Sequence, residues 1–395
     1  MKSNRCLFCQ GKNFSELVYL ERFPLFFGAI PYREKKNVES YPLTIAICKN
    51  CSLVQQINLL DIDVINKVYT ANYYNCPSPV ATGMGTREIN KFLSFFKYCN
   101  LEVGRLLEIA CFDGYLLKKL KIDGWDVYGI DPSSMTKIAM EELGGDKVIN
   151  QFFLKDMYPA ESFDAIVFRN LLEHLYDIHD FIDAVSRCLK PGGRIFIDVP
   201  NVKALIDIGG FGTFFHQHIS YFSIQTLSSL LEKHDFFVEE YSEGSPNLFV
   251  SAIKTDSLKK KKQSEEKFNI GIVEGEVKLF LFKNNEIKKT IDNLFLDEKY
   301  KRIAIFGASA LATCIINYLS KASVSKIKFI FDNDQQKHEK FLFGCDVVID
   351  SPTNIDSSQF DAIVVATYFF DDEIKKQLVD SGIDDKKIIN LKREV

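Results

Sequence analysis

The chain has 395 residues, 26% of them charged, and a formal net charge of -4. That length exceeds one ordinary core, so two or three domains are expected. The slight acidic excess argues against a dedicated binder of nucleic acid or anionic membrane, which is usually basic. No run of 18 or more apolar residues occurs, so no transmembrane helix is predicted. The N-terminus "MKSNRCLFCQ" reads as polar and then cysteine-rich rather than as a signal peptide. A reducing, cytoplasmic setting is expected.

Residues to about Lys97 read as loop-rich, and a first segment within them, expected as a domain over residues 1–70, has a cysteine pair at each end: Cys6 and Cys9 in "CLFC", Cys48 and Cys51 in "CKNC". Two Cys-x-x-Cys turns can direct four thiolates to one point, which suits a structural zinc. The 38 residues between the pairs exceed the usual knuckle spacing, but an inserted loop does not alter the ligand geometry. The competing reading is two redox sites. Those sit at a helix start in a thioredoxin-like unit, and no such unit is evident. No histidine, acid or open position accompanies the four thiols, so a catalytic zinc is not indicated. The metal would replace a core that so short a segment cannot build.

From "VGRLLEIACFDGYLLKKL" onward, within an expected domain of residues 71–255, the text changes character. Short apolar runs alternate with helical stretches: "RLLEIA", "GYLLKKLKIDG", "DVYGID", "SSMTKIAMEEL", "FDAIVFRNLL", "RIFIDVP". This rhythm predicts βαβ units and a parallel sheet, an α/β fold. "LLEIACFDGYLL" reads as strand, tight turn and helix start. Glu108 lies in the strand, Ala110, Asp113 and Gly114 lie in the turn, and Gly114 allows a ligand close to the backbone. Asp131 ends the next strand, 23 residues after Glu108, where an acid binds two ribose hydroxyls. Ala110 and Asp113 break the dinucleotide pattern Gly-x-Gly-x-x-Gly. The acid-led turn instead resembles class I S-adenosylmethionine methyltransferases, whose usual Glu/Asp-x-Gly-x-Gly has Ala110 and Phe112 at its two glycines here. "FDAIVFRNLLEHLYD" then reads as the fourth strand and its loop, bringing Asn170 and His174 to the cofactor pocket. "RCLKPGGRIFIDVP" reads as a turn into the fifth strand.

The run "KTDSLKKKKQSEEK" reads either as a linker or as the solvated start of the helix "VEGEVKLFLFKNNEIKKTIDNLF". Within residues 256–395 the alternation restarts, with "RIAIFGASALATCIINYL", "KIKFIFDND", "FDAIVVAT" and "KKIINL" forming a smaller Rossmann-like unit. Gly307 and Asp332 suit a dinucleotide half-site. A second cofactor there and a degenerate unit that only packs on its neighbour are both compatible with this pattern.

Taken in order, "FPLFFGAIPY", "YPLTIAICKNCSLVQ", "EIACFDGYLLK", "GIDPS", "NLLEHLYD", "HQHISYFS" and "FGASALATCIINYL" resemble segments of one family, the sugar C-methyltransferases that act on nucleotide-linked deoxysugars. The resemblance implies a zinc-binding N-terminal domain (1–70), an S-adenosylmethionine-dependent class I methyltransferase domain (71–255), and a linker helix with a C-terminal Rossmann-like domain (256–395). It implies S-adenosylmethionine and a structural zinc ion, a small nucleotide-sugar partner, and no nucleic acid or membrane. Where that family usually reads Tyr-His-Glu-His, this chain reads Phe215-His216-Gln217-His218. The family's last histidine is its proposed general base, which falls on His218. Phe215, Gln217 and Tyr221 fall on the substrate side, and Tyr73 and Tyr74 in "NYYNCPSP", which approximates the family's Tyr-x-Tyr-x-Ser-Ser stretch, are implied as catalytic candidates.

The histidines of "FFHQHISYFS" could be a metal pair, a base or core residues. No third ligand accompanies them in sequence, which disfavours a metal. Methylation beside a ketone needs a base to remove a carbon-bound proton, and neutral imidazole suits that work. His218 is therefore expected as the base, His216 as an orienting or packing residue, and His174 at the substrate site. His179, His234 and His338 have no chemical context and read as surface or packing. The expected function is methyl transfer to carbon of a nucleotide-linked keto-deoxysugar. The alternatives are O-methylation of a sugar or surface-glycan precursor, and a binding protein that has kept the fold without turnover.

Overall fold

The computed structural model describes residues 5–26, 28–70, 78–82, 85–209, 212–243, 246–255, 270–367 and 370–391. Tyr73 and Tyr74 lie outside these residues, as do the expected boundary at 70/71 and most of the lysine run. Three sheets organise the rest.

The N-terminal sheet begins as an antiparallel meander of β1 (Phe14–Pro24), β2 (Ser40–Cys48) and β3 (Val54–Ile57). This segment is less loop-rich than its sequence suggests. β1 pairs with β2 through two register shifts, at Glu16/Val18 and Leu20/Phe23, so its apolar residues fall out of strict alternation. β2 is buried on both faces from Leu43 to Cys48, which gives a continuous apolar run instead of a period of two.

The central sheet contains β4 (Arg105–Ile109), β5 (Asp126–Ile130), β6 (Val148–Ile149), β7 (Phe163–Arg169) and β8 (Leu189–Pro200). After the two-residue β9 (Ser220–Tyr221) come β10 (Phe236–Ser242) and β11 (Asn247–Lys254). The order is β10-β11-β8-β7-β4-β5-β6, with β11 antiparallel to both neighbours and the contiguous strands β8 to β6 parallel. Ala165 to Phe168 are fully buried, as expected where helices cover both faces. "KPGG", expected as a turn before a strand, lies inside β8, where the register shifts between Phe163/Leu189 and Ala165/Arg194. The strand order reverses between β4 and β7, which opens a crevice at their carboxyl ends.

β9 does not join this sheet. It pairs antiparallel with β3, Val54 opposite Tyr221 and Gln55 opposite Ser220, and completes the N-terminal sheet. The third sheet is all parallel, in the order β14-β13-β12-β15-β16: β12 (Ile303–Phe306), β13 (Ile327–Phe331), β14 (Ile349–Asp350), β15 (Ala362–Val365) and β16 (Ile388–Asn390). A 27-residue helix, Ile270–Leu296, precedes it. Phe280, Ile287, Ile291 and Leu294 recur along one face of that helix and are buried in a core shared with Phe23, Ile45 and Leu311.

Two neighbouring glutamines on β3 tie these parts together. Alternation sends them to opposite sides. Gln55 Oε1 accepts from the Leu7 amide at 2.8 Å, inside the first cysteine turn. Gln56 Nε2 donates to the carbonyls of Phe215, His216 and His218 at 3.0, 2.9 and 2.6 Å. The Gln56 amide also donates to Ile219 O (2.8 Å), and the Ile219 amide donates to Glu173 O (2.7 Å). The histidine turn is thus strung between the N-terminal sheet and the loop after β7. Replacing Gln56 by Leu removes the donor shared by three carbonyls, so Gln56→Leu should cost about 1–3 kcal/mol in urea denaturation. Hydrogen exchange should quicken at residues 215–219 while β4, β7 and β8 stay protected.

Candidate active site

The crevice at the ends of β4 and β5 is lined with acids. Glu108 is buried and its Oε2 has no hydrogen-bond partner. Burial pushes its carboxyl up to about 8; Arg169 opposes this, and Asp113 and Asp131 add to it. The turn after β4 runs through the left-handed region at Ala110 (φ 63°), Phe112 (φ 51°) and Gly114 (φ 76°). Ala110 and Phe112 hold this conformation at a cost of about 1–2 kcal/mol each, which is why glycines are usual there. A Cβ on Gly114 would sit 2.9 Å from that of Ala139, so close helix packing constrains this position as well. Asp113 anchors the neighbouring segment, accepting from the Ser78 hydroxyl (2.6 Å), the Val80 amide (2.7 Å) and the Tyr115 amide (3.1 Å). Asp131 joins the two strand-end turns, accepting from the amides of Phe112 (3.1 Å) and Ser133 (2.7 Å). Asn170, also left-handed (φ 47°), donates its amide to Asp198 O at 2.8 Å.

A buried ion pair, not foreseen from the sequence, closes the other side. Arg169 contacts Asp198 Oδ2 at 3.0 and 2.9 Å, and Asn247 donates to Oδ1 at 2.7 Å. The available signal was a charge at each end of two otherwise apolar strands, because a buried charge needs a partner.

Beyond this pair lies a second recess. Glu173, in the turn Leu172–His174 after β7, is fully buried, and neither carboxyl oxygen has a hydrogen-bond partner. Burial raises its carboxyl to about 8. Its Oε1 faces Nε2 of His174 at 3.8 Å and Nε2 of His218 at 3.9 Å. The two imidazoles meet edge to face with centroids 4.8 Å apart. Burial lowers His174 to about 4 and His218 well below its ordinary value, so both rings are neutral. Their side chains keep 22% and 14% exposure, so the recess opens to solvent.

Phe215 and Tyr221 flank His218, with centroids 4.1 and 5.8 Å from its ring. Gln217 is buried with Oε1 unpartnered, and its backbone carbonyl lies 2.8 Å from His174 Nδ1. His216 is elsewhere: its Nε2 lies 3.3 Å from Phe23 O, between the Phe23 and Tyr41 rings on the N-terminal sheet. The recess therefore unites His218 with His174 rather than with His216, and Glu173 supplies the third ligating group absent from the local sequence, the three donor atoms lying within 4.8 Å of one another, so the lack of a third ligand no longer argues against a metal there. Its third member, Glu173, was visible in "LLEHL" as an acid inside an apolar run.

His179 and His234 pack the cysteine turn onto the central helices. His179 Nε2 donates to Phe8 O (2.8 Å), its Nδ1 lies 2.7 Å from His234 Nε2, and His234 Nδ1 lies 2.6 Å from Asp183 Oδ1.

Cys6, Cys9, Cys48 and Cys51 converge, their sulfurs all within 4.8 Å of one another, with Cys6–Cys51 at 3.4 Å and Cys9–Cys48 at 3.5 Å. A tetrahedral zinc with bonds of about 2.3 Å has sulfur–sulfur edges near ~3.8 Å, so the donor set fits. The two turns are copies of one structure. Cys6 N donates to Gly11 O (2.8 Å) and Cys48 N to Leu53 O (2.9 Å); Gln10 N returns to Cys6 O (2.9 Å) and Ser52 N to Cys48 O (2.8 Å). Gln10 and Ser52 share a left-handed backbone, at φ 61° and 64°. The Cys6–Cys51 contact lowers the Cys6 thiol and raises that of Cys51, and burial raises Cys48, so without a metal the cluster favours one thiolate rather than four.

A seven-stranded sheet in this order, with one reversed strand and acids at the ends of β4 and β5, is the class I methyltransferase fold. Residues 84–241 match the family model described as "Methyltransferase domain", and residues 299–389 match that described as "C2185-like, N-terminal". The chain is 24% identical over 241 residues to the C-methyltransferase NovU of Streptomyces niveus, covering 58% of this chain and 55% of that protein. It is 30% identical over 156 residues to the mitochondrial ubiquinone biosynthesis O-methyltransferase of Rattus norvegicus, covering 34% of this chain and 45% of that one. The chain spans about half the length of these curated relatives. Among solved structures it is similar to the 1,6-didemethyltoxoflavin-N1-methyltransferase of Burkholderia thailandensis (14% identity, TM-score 0.40, 54% of this chain and 96% of that one). Among the described residues no helix is long and apolar enough to cross a membrane.

The elevated carboxyl of Glu108 makes stability depend on pH with a definite sign. The folded state keeps a proton that the unfolded chain releases above its ordinary value of 4.5, so stability falls as pH rises from there to about 8. Glu108→Gln lacks this slope. Urea denaturation of the ligand-free proteins at pH 6 and pH 8 should show the variant gaining on wild type by about 1.4 kcal/mol per unit of pH.

Proposed function

We propose that the chain is an S-adenosylmethionine-dependent methyltransferase acting on a carbon of a nucleotide-linked keto-deoxysugar, with His218 as the base. The observation that carries this reading is the Glu173–His174–His218 recess, joined to the acid-lined crevice through Arg169 and Asp198. The acceptor class rests on the ordered segments that resemble the sugar C-methyltransferases. When bound, S-adenosylmethionine supplies an electrophilic methyl group on a sulfonium.

Glu108 and Asp131 hold the cofactor at the ends of β4 and β5, with Ala110, Asp113, Gly114 and Asn170 shaping the turns around it. His218 takes the proton from the acceptor carbon, leaving its electron pair to attack the methyl group. Phe215, Gln217 and Tyr221 line the acceptor side, with His174 beside them. Cys6, Cys9, Cys48 and Cys51 hold one structural zinc, which fixes the N-terminal sheet that carries Gln56. The division into 1–70, 71–255 and 256–395 belongs to the same reading. A second reading, O-methylation, is favoured by the 30% identity to an O-methyltransferase and by Phe215 and Gln217 standing at the Tyr and Glu of the sugar-family pattern. In it, His218 takes a hydroxyl proton. Whether the transferred label in the product is bonded to carbon or to oxygen decides between the two.

Calorimetry should show S-adenosylmethionine binding to wild type and binding weakened tenfold or more in Asp131→Asn, since a charge-assisted hydrogen bond contributes about 1.5–3 kcal/mol. His218→Asn should keep that affinity and lower methyl transfer to a nucleotide-linked keto-deoxysugar by ~10²–10⁴-fold. Preferential binding of NAD, or normal turnover in His218→Asn, contradicts the assignment.

Elemental analysis should give about one zinc per chain. Cys48→Ser should lose the metal and melt at a lower temperature. A metal-free wild type with an intact N-terminal sheet would exclude the zinc.

A further inference from the structure

The two edges of the Arg169 guanidinium are used differently. Its Nε and Nη2 both meet Oδ2 of Asp198, at 3.0 and 2.9 Å. The Phe92 ring, on the helix Thr86–Tyr98, covers one flat side with its centroid 5.1 Å from the guanidinium carbon. A guanidinium donates only in its own plane. What remains is the fork of Nη1 and Nη2, which has no protein partner among the described residues. Such a fork binds a carboxylate through two parallel hydrogen bonds. The side chain keeps only 9% exposure, so packing and Asp198 hold the fork in one direction.

The sheet fixes what lies beside that fork. Val167 stands opposite Glu108 on β4 and opposite Phe196 on β8, and Arg169 stands opposite Asp198. Period-two alternation therefore puts Glu108, Arg169 and Asp198 on one face, with Arg169 nearer the carboxyl ends. Val167 and Phe196 pack on this face with Phe92. Glu108 has an unpartnered Oε2, and Arg169 is the strongest charge acting on it, ahead of Asp113 and Asp131. A phosphate or diphosphate at the fork would be repelled by these acids. The zwitterionic end of an amino acid is not, because its ammonium offers a donor to the unpartnered oxygen of Glu108 while its carboxylate meets the fork.

We propose that Arg169 binds the carboxylate of the amino-acid end of S-adenosylmethionine through its Nη1/Nη2 fork, with Asp198 as the positioning residue that holds the guanidinium by its other edge. This rests on the reading of that compound as the cofactor. Asn247 completes the support by donating to Oδ1 of Asp198 at 2.7 Å. A buried ion pair is a weak device for stability, since an apolar pair of similar volume serves a core as well. A buried pair that leaves one fork open at the ends of the strands is instead a rigid receptor for an anion. Asp198 balances the charge of Arg169, so the fork recognises a carboxylate by shape and paired donors as well as by charge.

Calorimetry on the full-length protein with three adenosine compounds tests this without an acceptor. S-adenosylmethionine has the whole amino-acid end, decarboxylated S-adenosylmethionine lacks only the carboxylate, and methylthioadenosine lacks that end altogether. Wild type should bind the first about tenfold or more tightly than the second. The paired variant Arg169→Met with Asp198→Asn removes both charges together, so neither is left buried alone. It should lose that preference and keep its affinity for methylthioadenosine. Arg169→Lys, which keeps the charge and loses the fork, should lower the preference several-fold and serves if the paired variant does not fold. Asp198→Asn alone keeps the guanidinium, removes the competing charge and should widen the preference. A preference unchanged in the paired variant or in Arg169→Lys overturns the inference. So does wild type that binds the decarboxylated compound as tightly as the intact one, or variants that weaken all three compounds equally, as a purely structural role would. Those results leave the cofactor reading standing as long as S-adenosylmethionine binds. Failure of wild type to bind any of the three contradicts the methyltransferase reading itself.

Discussion

The arrangement depends on the period-two alternation of a four-residue strand. Gln55 and Gln56 stand side by side on β3, and a strand has no choice but to point them apart. One secures the turn that contains Cys6 and Cys9, the other the turn that contains His218. The four-cysteine cluster and the histidine recess are therefore two ends of one rigid piece. A metal at the first end would be felt at the second through β3, with no flexible linker to absorb the effect.

The second organising feature is uncompensated acid. Glu108 and Glu173 are both buried with an unpartnered oxygen, and both are held protonated by burial. Between them lies Arg169, whose charge is already engaged by Asp198. Folding thus leaves two carboxyls without partners on either side of one neutralised pair. Such perturbed groups cluster where ligands and protons are handled, because a site satisfied by its own protein has little left to offer a substrate.

Much of this was legible in the sequence, for reasons specific to particular residues. β4 to β8 could be found because buried parallel strands are apolar throughout and are punctuated by helices. Glu108, Asp131 and the glycine-like positions Ala110 and Phe112 could be placed because a strand-end turn imposes a backbone conformation. The N-terminal strands were less legible because register shifts in β1 blur its alternation. The histidine recess was half legible: His174 and His218 could be named, but Glu173 became meaningful only when folding closed the turn after β7 onto residues 216–219. Gln56 offered no signal, since its three acceptors lie roughly 160 residues away and depend on a contact that local pattern cannot report.

β9 has a consequence for how the chain is made. The free edge of β3 emerges early in synthesis, and its partner, Ser220–Tyr221, is roughly 165 residues further along. Until that point the ribosome has passed, the first sheet keeps an open edge, and an open edge pairs readily with any other extended chain. The strand β3 that pairs with Ser220–Tyr221 also holds the histidine turn, through the Gln56 amide on Ile219 O. A nascent chain that stalls before residue 220 exposes an open strand edge, whereas one that continues can close that edge and bring the histidine turn into place.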